Sequence, residues 1–194
     1  GDQSELRRII ASQLGLLAEW GCITQFGSGN TADFVSASEI QSYAYQATPL
    51  GARVAELYLD PLTAHNFVEA LAKSKTVTCT AFSCLHLVCN ARELRPLLHV
   101  RAKEFDAIAQ QSVASMQNLL VPEPSLYDPD YEQFLDAVKT TLMFLAWMDE
   151  EPDQILLDKY DIRPGETRAK IEVADWLLRC LSEIGKIINT DRNV

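Results

Sequence analysis

The stretch PGETRAKIEVADWLLRCLSEIGKII, residues Pro164 to Ile188, decides how this chain is read. Pro164 and Gly165 mark a turn, and Glu166 and Thr167 open a long periodic segment. Ile171, Ala174, Leu178, Leu181 and Ile188 recur at helical spacings and share one face. At about 100° per residue, Trp176 falls on the far side of the helix from the centre of that face, with Arg179, Glu172, Glu183 and the small Ala169. A large ring off the apolar stripe must pack on another element or meet a ligand. Two readings stand: a neighbouring helix covers the indole, or the indole is a stacking platform for a nucleobase with cations beside it.

The preceding sequence supplies the frame for that helix. Leu6, Ile9, Ile10, Leu14, Leu17 and Ala18 predict a helix from Glu5 to Trp20, ended by Gly21. Cys22 to Phe26 and Tyr43 to Ala47 are strand candidates, joined through the turn at Gly27 and a polar loop from Ser28 to Gln41 that reads as mobile. Helix, strand, long loop and strand make the back half of a winged helix with an enlarged wing, either shortened at its amino end or complete and atypical. Thr48 and Pro49 cap and open a further helix with Val54, Leu57 and Tyr58 as its apolar face. Asp60-Pro61 starts the next, from Leu62 to about Ser74. Thr78 to Asn90 is apolar almost all round and predicts a buried helix, and Arg101 to Leu120 a long amphipathic one. Val121-Pro-Glu-Pro breaks the chain; helices follow over Asp130–Trp147, Pro152–Tyr160 and Arg163–Asn189. The fold class is mainly α: a partial winged helix (helix plus β-hairpin wing) over residues 1–60, then a bundle of six or seven helices over 61–194.

With 194 residues, 47% of them hydrophobic, the chain can bury a sizeable core. No apolar run reaches the roughly 20 residues of a membrane span, and the start GDQSELRRII lacks the pattern of a signal peptide. Gly1 in place of Met suggests a trimmed start. The formal net charge of −10 argues against nucleic acid until its distribution is read. Eleven acids against two bases lie between Glu123 and Asp161, and the rest of the chain is nearly balanced. Outside that stretch, Arg92, Arg95, Arg101 and Lys103 form one basic cluster, and Arg163, Arg168, Lys170 and Arg179 another. Each is either a solvated face or a phosphate-contacting one.

The residues point to binding rather than catalysis. Five cysteines at spacings without a C-x-x-C read as reduced, mostly buried residues of a cytoplasmic protein. Cys84, His86 and Cys89 are poorly placed to share a metal, and His86 in an apolar helix reads as a satisfied core histidine. No phosphate-binding Gly-Lys-Ser or Gly-Lys-Thr loop is present. Asp149, Glu150 and Glu151 follow a helical rather than a strand-like apolar run, so they read as a solvated helix end and not as an ATPase acid motif. No nucleophile elbow or triad has supporting context. Neither catalytic residues nor a metal site are expected in this chain.

Three ordered stretches carry a family resemblance. PGETRAKIEVADWLL looks like the central ratchet helix of archaeal superkiller-like (Ski-like) superfamily 2 DNA helicases. ATPLGARVAELYLDPLTAH, from Ala47 to His65, resembles their junction between winged-helix and ratchet domains. LHLVCNARELRPLLHVR, from Leu85 to Arg101, resembles an early ratchet helix and the turn after it. The resemblance implies the winged-helix and ratchet region of an ATP-dependent 3′–5′ DNA helicase acting in replication-fork repair and recombination. It also implies that ATP and Mg belong to RecA-like motor domains outside this chain, which alone has no ATPase and no cofactor. Implied partners are single-stranded or forked DNA and those motor domains, with no membrane. The family's ratchet helix presents a tryptophan and a basic residue to the strand. By resemblance the tryptophan is Trp176; the position one heptad before it is Ala169, so the basic role passes to Arg168, with Lys170 and Arg179 behind it. Two alternatives stay open: a protein-interaction scaffold whose acidic surface suits a basic partner, and the same region of an RNA helicase.

Overall fold

The computed structural model describes residues 3–26 and 44–190. The predicted turn and polar loop between the two strands lie outside the described residues. The chain forms two compact units, residues 1–65 with 186–194, and residues 66–185.

In the first unit, α1 spans Gln3–Glu19 and closes at Gly21, whose φ of 71° suits a residue without Cβ. The strands β1 (Ile23–Phe26) and β2 (Ala44–Ala47) pair antiparallel, with Ile23 opposite Ala47. Helix α2 (Pro49–Glu56) follows at once. Thr48 makes the joint: its amide donates to the Cys22 carbonyl (3.0 Å), its hydroxyl donates to the Gly21 carbonyl (2.6 Å), and the same oxygen accepts from the Gly51 amide (3.0 Å). Gly51 is required there, because a Cβ would fall on the backbone carbonyl of Cys22. Trp20 stacks on His65 at 5.5 Å.

One predicted face is corrected here. Val54 is buried and Leu57 half-buried, but Tyr58 is 90% exposed and Leu59 is buried instead. The helix ends a turn earlier than the periodicity suggests. Tyr58 takes a left-handed conformation (φ 55°), its amide donating to the Ala55 carbonyl and that of Leu59 to Val54. This closure turns Tyr58 outward and Leu59 inward.

The helix α3 (Pro61–Lys73) begins with the Asp60 carboxylate accepting from the Leu62 amide (2.8 Å). In the second unit, α4 (Ala81–Cys89) is buried almost throughout, as its all-round apolarity predicts. Thr80 and Ser83 cap it reciprocally. It packs against α6 (Tyr131–Met148), on which α5 (Phe105–Ser115) and α7 (Asp153–Tyr160) also pack. Phe82, Leu119, Phe134, Leu135 and Val138 form one cluster of the unit's core. α8 runs from Pro164 to Thr190. The mainly α fold with a two-stranded hairpin is thus the one the sequence predicts.

Two expectations need correction. His86 is fully buried, stacked on Phe82 and edge-on to Phe134, but its Nδ1 has no hydrogen-bond partner among the described residues. It is a core histidine, not a fully satisfied one. The predicted helix from Arg101 to Leu120 is also shorter. Residues 102–104 and 116–118 are 3-10 turns flanking α5. The cause is tertiary: Glu104 accepts from the Arg101 amide (3.0 Å) and from the ammonium of Lys139 on α6 (2.6 Å), which holds residues 101–104 out of helical continuation.

Lys139 belongs to a polar row on α6. Its side chain is buried, and it donates to the His99 carbonyl (2.9 Å) as well as to Glu104. Asp136 accepts from the Val100 amide (2.7 Å), and Thr140 accepts from the Leu98 amide (3.0 Å). Residues 95–104 are therefore strapped along α6 by three side chains, Asp136 and, one helical turn on, Lys139 and Thr140. Burial alone would raise the Glu104 carboxyl; the Lys139 hydrogen bond, the Arg101 amide and the charges of Lys139 and Arg101 outweigh it and hold the carboxyl below the usual range.

Two predictions follow from these buried groups. Burial pushes the His86 imidazole from 6.5 down to about 4. The unfolded chain therefore takes up this proton first, and stability falls as pH drops from about 6.5 towards 4, by on the order of 3 kcal/mol. In denaturant titrations at both pH values, His86→Leu should show a correspondingly smaller acid loss than the parent. Lys139→Met should cost about 3 kcal/mol by leaving Glu104 unpaired. The double variant with Glu104→Gln should recover much of that loss, and equal destabilisation of the two variants would refute the pairing.

Candidate nucleic-acid interface

Helix α8 carries the predicted contact residues, and its buried stripe fixes where they point. Arg163 and Glu166 start it, the Glu166 carboxylate accepting from the Arg163 amide (3.1 Å). Thr167, Ala174, Leu177, Cys180 and Ile184 are buried, whereas Ile171, Leu178, Leu181 and Ile188 are only half-buried. The true buried face is therefore turned by about 55° from the predicted one, towards Trp176. The indole ends about 110° from the centre of that face and is half-buried. Burial follows what packs against the helix, not where Leu and Ile are densest, and here Thr167 and Cys180 take core positions.

Ala169, Val173 and Trp176 share one strip, at spacings of four and three. The other predicted residues divide. Arg168 is exposed on the side away from the buried stripe and forms no ion pair among the described residues. Arg179 shares that side and is paired with Asp175, one turn back, at 3.0 Å. Lys170 points the other way: half-buried, its ammonium donates to the Pro96 carbonyl of the strap. Burial pulls Lys170 below the usual lysine range, against the opposing pull of Cys89 and Glu166. The four residues named from sequence thus do not form one cluster. Trp176 stands between a solvent-facing row with Arg168 and Arg179 and a strap-facing row with Lys170.

The strap-facing row borders a cleft of about 500 Å³. Its walls are the strap from Glu93 to His99, the turn at Tyr160 to Ile162, and Glu166, Ala169, Lys170 and Val173 of α8. Arg101 of the strap pairs with Asp161 across it. Tyr160 fixes the turn by donating from its hydroxyl to the Leu142 carbonyl (3.1 Å), and Asp161 closes α7 at φ 56°. Sequence reading located the α8 residues but missed the cleft and the strap. The missed signal was in α6, where Asp136, Lys139 and Thr140 place three polar groups on one side of a mainly apolar helix.

This arrangement offers an aromatic face, cations of more than one orientation, and a concave wall; it brings no nucleophile, base pair of carboxylates or metal-ligand set to one point among the described residues. No helix among the described residues is long and apolar enough to cross a membrane.

Comparison with known proteins places this geometry in a lineage. Residues 82–194 match the family described as archaeal helicase, domain 4. The chain is 31% identical to the ATP-dependent DNA helicase Hel308 of Caldivirga maquilingensis, over 98% of this chain and 24% of that protein. It is 31% identical to Hel308 of Methanocella arvoryzae, over 96% of this chain and 24% of the relative. Hel308 of Methanococcus vannielii is 30% identical over 79% of this chain and 20% of its own length. The chain spans about a quarter of the length of these relatives. Because the matched segment covers more than half of the sequence and includes α4, the strap and α8, the chain belongs to the archaeal helicase domain 4 family.

Proposed function

We propose that this chain is the strand-engaging, non-catalytic part of an ATP-dependent 3′–5′ DNA helicase that works on forked DNA in repair and recombination. The observation that carries the reading is the half-buried indole of Trp176. An indole that is neither sealed in the core nor fully exposed can be anchored by the protein and still meet a planar partner. A nucleobase stacked there gains about 1–3 kcal/mol whatever its identity, since every base offers a π-face. A motor that moves along a strand needs such a grip at each position without a preference for any base. Arg168 supplies a backbone contact beside it, with Arg179 and Lys170 as weaker contributors because each already has a partner. The relatives are named ATP-dependent DNA helicases, which supports placing ATP and Mg in motor domains of the same protein and the protein in the cytoplasm. Residues 1–60 act in this reading as the winged-helix portion and 61–194 as the ratchet portion.

A second reading rests on the corner between α6 and α7. Trp147, Met148 and Ile155 are all more than two-fifths exposed, and Asp149, Glu150, Glu151 and Asp153 lie among them. Exposed apolar groups ringed by acids suit a basic, amphipathic protein partner, which is the scaffold alternative.

Two measurements decide. Trp176→Ala should weaken binding to labelled oligothymidylate by about 1–3 kcal/mol with the helical circular-dichroism spectrum of the parent retained; equal affinity of variant and parent removes the stacking role. Across a salt series, the parent's log affinity should fall by about 0.7 per phosphate contact for each tenfold rise in salt. No binding even at low salt would favour the scaffold reading, and a marked preference for RNA the RNA-helicase one.

A further inference from the structure

We propose that the cleft between the strap and α8 is a phosphate-binding subsite whose working cation is Arg95. The proposal rests on the reading of Trp176 as a stacking residue and adds to it the place where the strand's backbone lies.

Charge accounting around the cleft singles out this residue. Arg101 is spent on Asp161. Lys139, at the cleft floor, is spent on Glu104 and the His99 carbonyl. Lys170 holds the Pro96 carbonyl and faces Glu166. Glu93, the remaining acid of the wall, is not free either. Arg95 is exposed, lines the cleft, and has no ion pair among the described residues. It is thus the cleft's one cation left for an external anion among the described residues. A guanidinium suits that role, since its planar fork matches two oxygens of one phosphate.

Position supports the same assignment. Ala169 and Val173 line the cleft, and Trp176 is the next residue of their strip. The distance along α8 from Ala169 to Trp176 is about 10 Å, so a strand whose base stacks on the indole has neighbouring phosphates within reach of the cleft mouth. Ala169 leaves the entrance unobstructed. The strap that carries Arg95 is fixed by Asp136, Lys139 and Thr140 and, from α8, by Lys170. Lys170 is therefore a positioning residue for the subsite: its ammonium holds the backbone one residue beyond Arg95. Arg168, by contrast, projects from the side of α8 away from the cleft wall.

The test measures oligothymidylate affinity across a salt series for the parent, Arg95→Ala, Arg95→Lys, Trp176→Ala and Lys103→Ala, a strap cation outside the cleft. Arg95→Ala should weaken binding about fivefold and reduce the magnitude of the salt slope by about 0.7, as expected for one lost phosphate contact on a single strand. Arg95→Lys should keep the slope and lose part of the affinity, and Lys103→Ala should do neither. The melting temperature of both Arg95 variants should stay at the parent value, since the Arg95 side chain is exposed and forms no ion pair among the described residues. An Arg95→Ala variant with parental affinity and slope overturns the subsite, as does one that matches Lys103→Ala. Either result, with Trp176→Ala still weakening binding, leaves the stacking role standing. A parent that binds no oligothymidylate removes both.

Discussion

The buried ammonium of Lys139 is the constraint on which the second unit's functional face depends. A lysine inside a helical core is costly unless its charge and its donors are all used. Here its charge meets the Glu104 carboxylate and a second donor meets the His99 carbonyl, and its neighbours Asp136 and Thr140 capture the amides of Val100 and Leu98. These bonds stand in for secondary structure in a segment whose only regular element is the 3-10 turn at residues 102–104. Without them residues 95–104 would have unsatisfied backbone groups against an apolar helix. With them, an irregular segment becomes a fixed wall, and the cleft beside α8 exists because that wall stands where it does.

The same interaction explains where sequence reading succeeded and failed. Helices whose burial is dictated by their own composition were legible: α4 by its all-round apolarity, α6 and α8 by period. The strands next to Gly21 and Thr48 were legible from turn and cap residues. What was not legible was set by partners distant in sequence. The start of α5 is decided by Lys139, some 35 residues away in the chain. The stripe of α8 is decided by what lies against Thr167, Cys180 and Ile184, so the predicted face was turned by about 55° even though the helix itself was found. Tyr58 was misplaced because a left-handed closure by a residue other than glycine gives little sign of itself in sequence.

For the candidate site, sequence identified the right helix and an aromatic residue at the edge of its packed face. It could not say how the cations divide. Helical geometry puts Arg168 and Lys170 on opposite sides of Trp176, and the strap captures one of them. The acidic total of the chain was equally uninformative. Most of the excess lies between Glu123 and Asp161, and several of those acids do structural work: Asp136 holds the strap, Glu123 meets Ser112, and Asp161 meets Arg101.

The strip on α8 has a further meaning. From Ala169 through Val173 its side chains are small or short, and then Trp176 rises as a single bulky feature. A polymer lying along such a surface meets one ridge and otherwise level ground. It has no series of notches to lock into, so it can pause at the ridge and glide between pauses, whatever its letters spell.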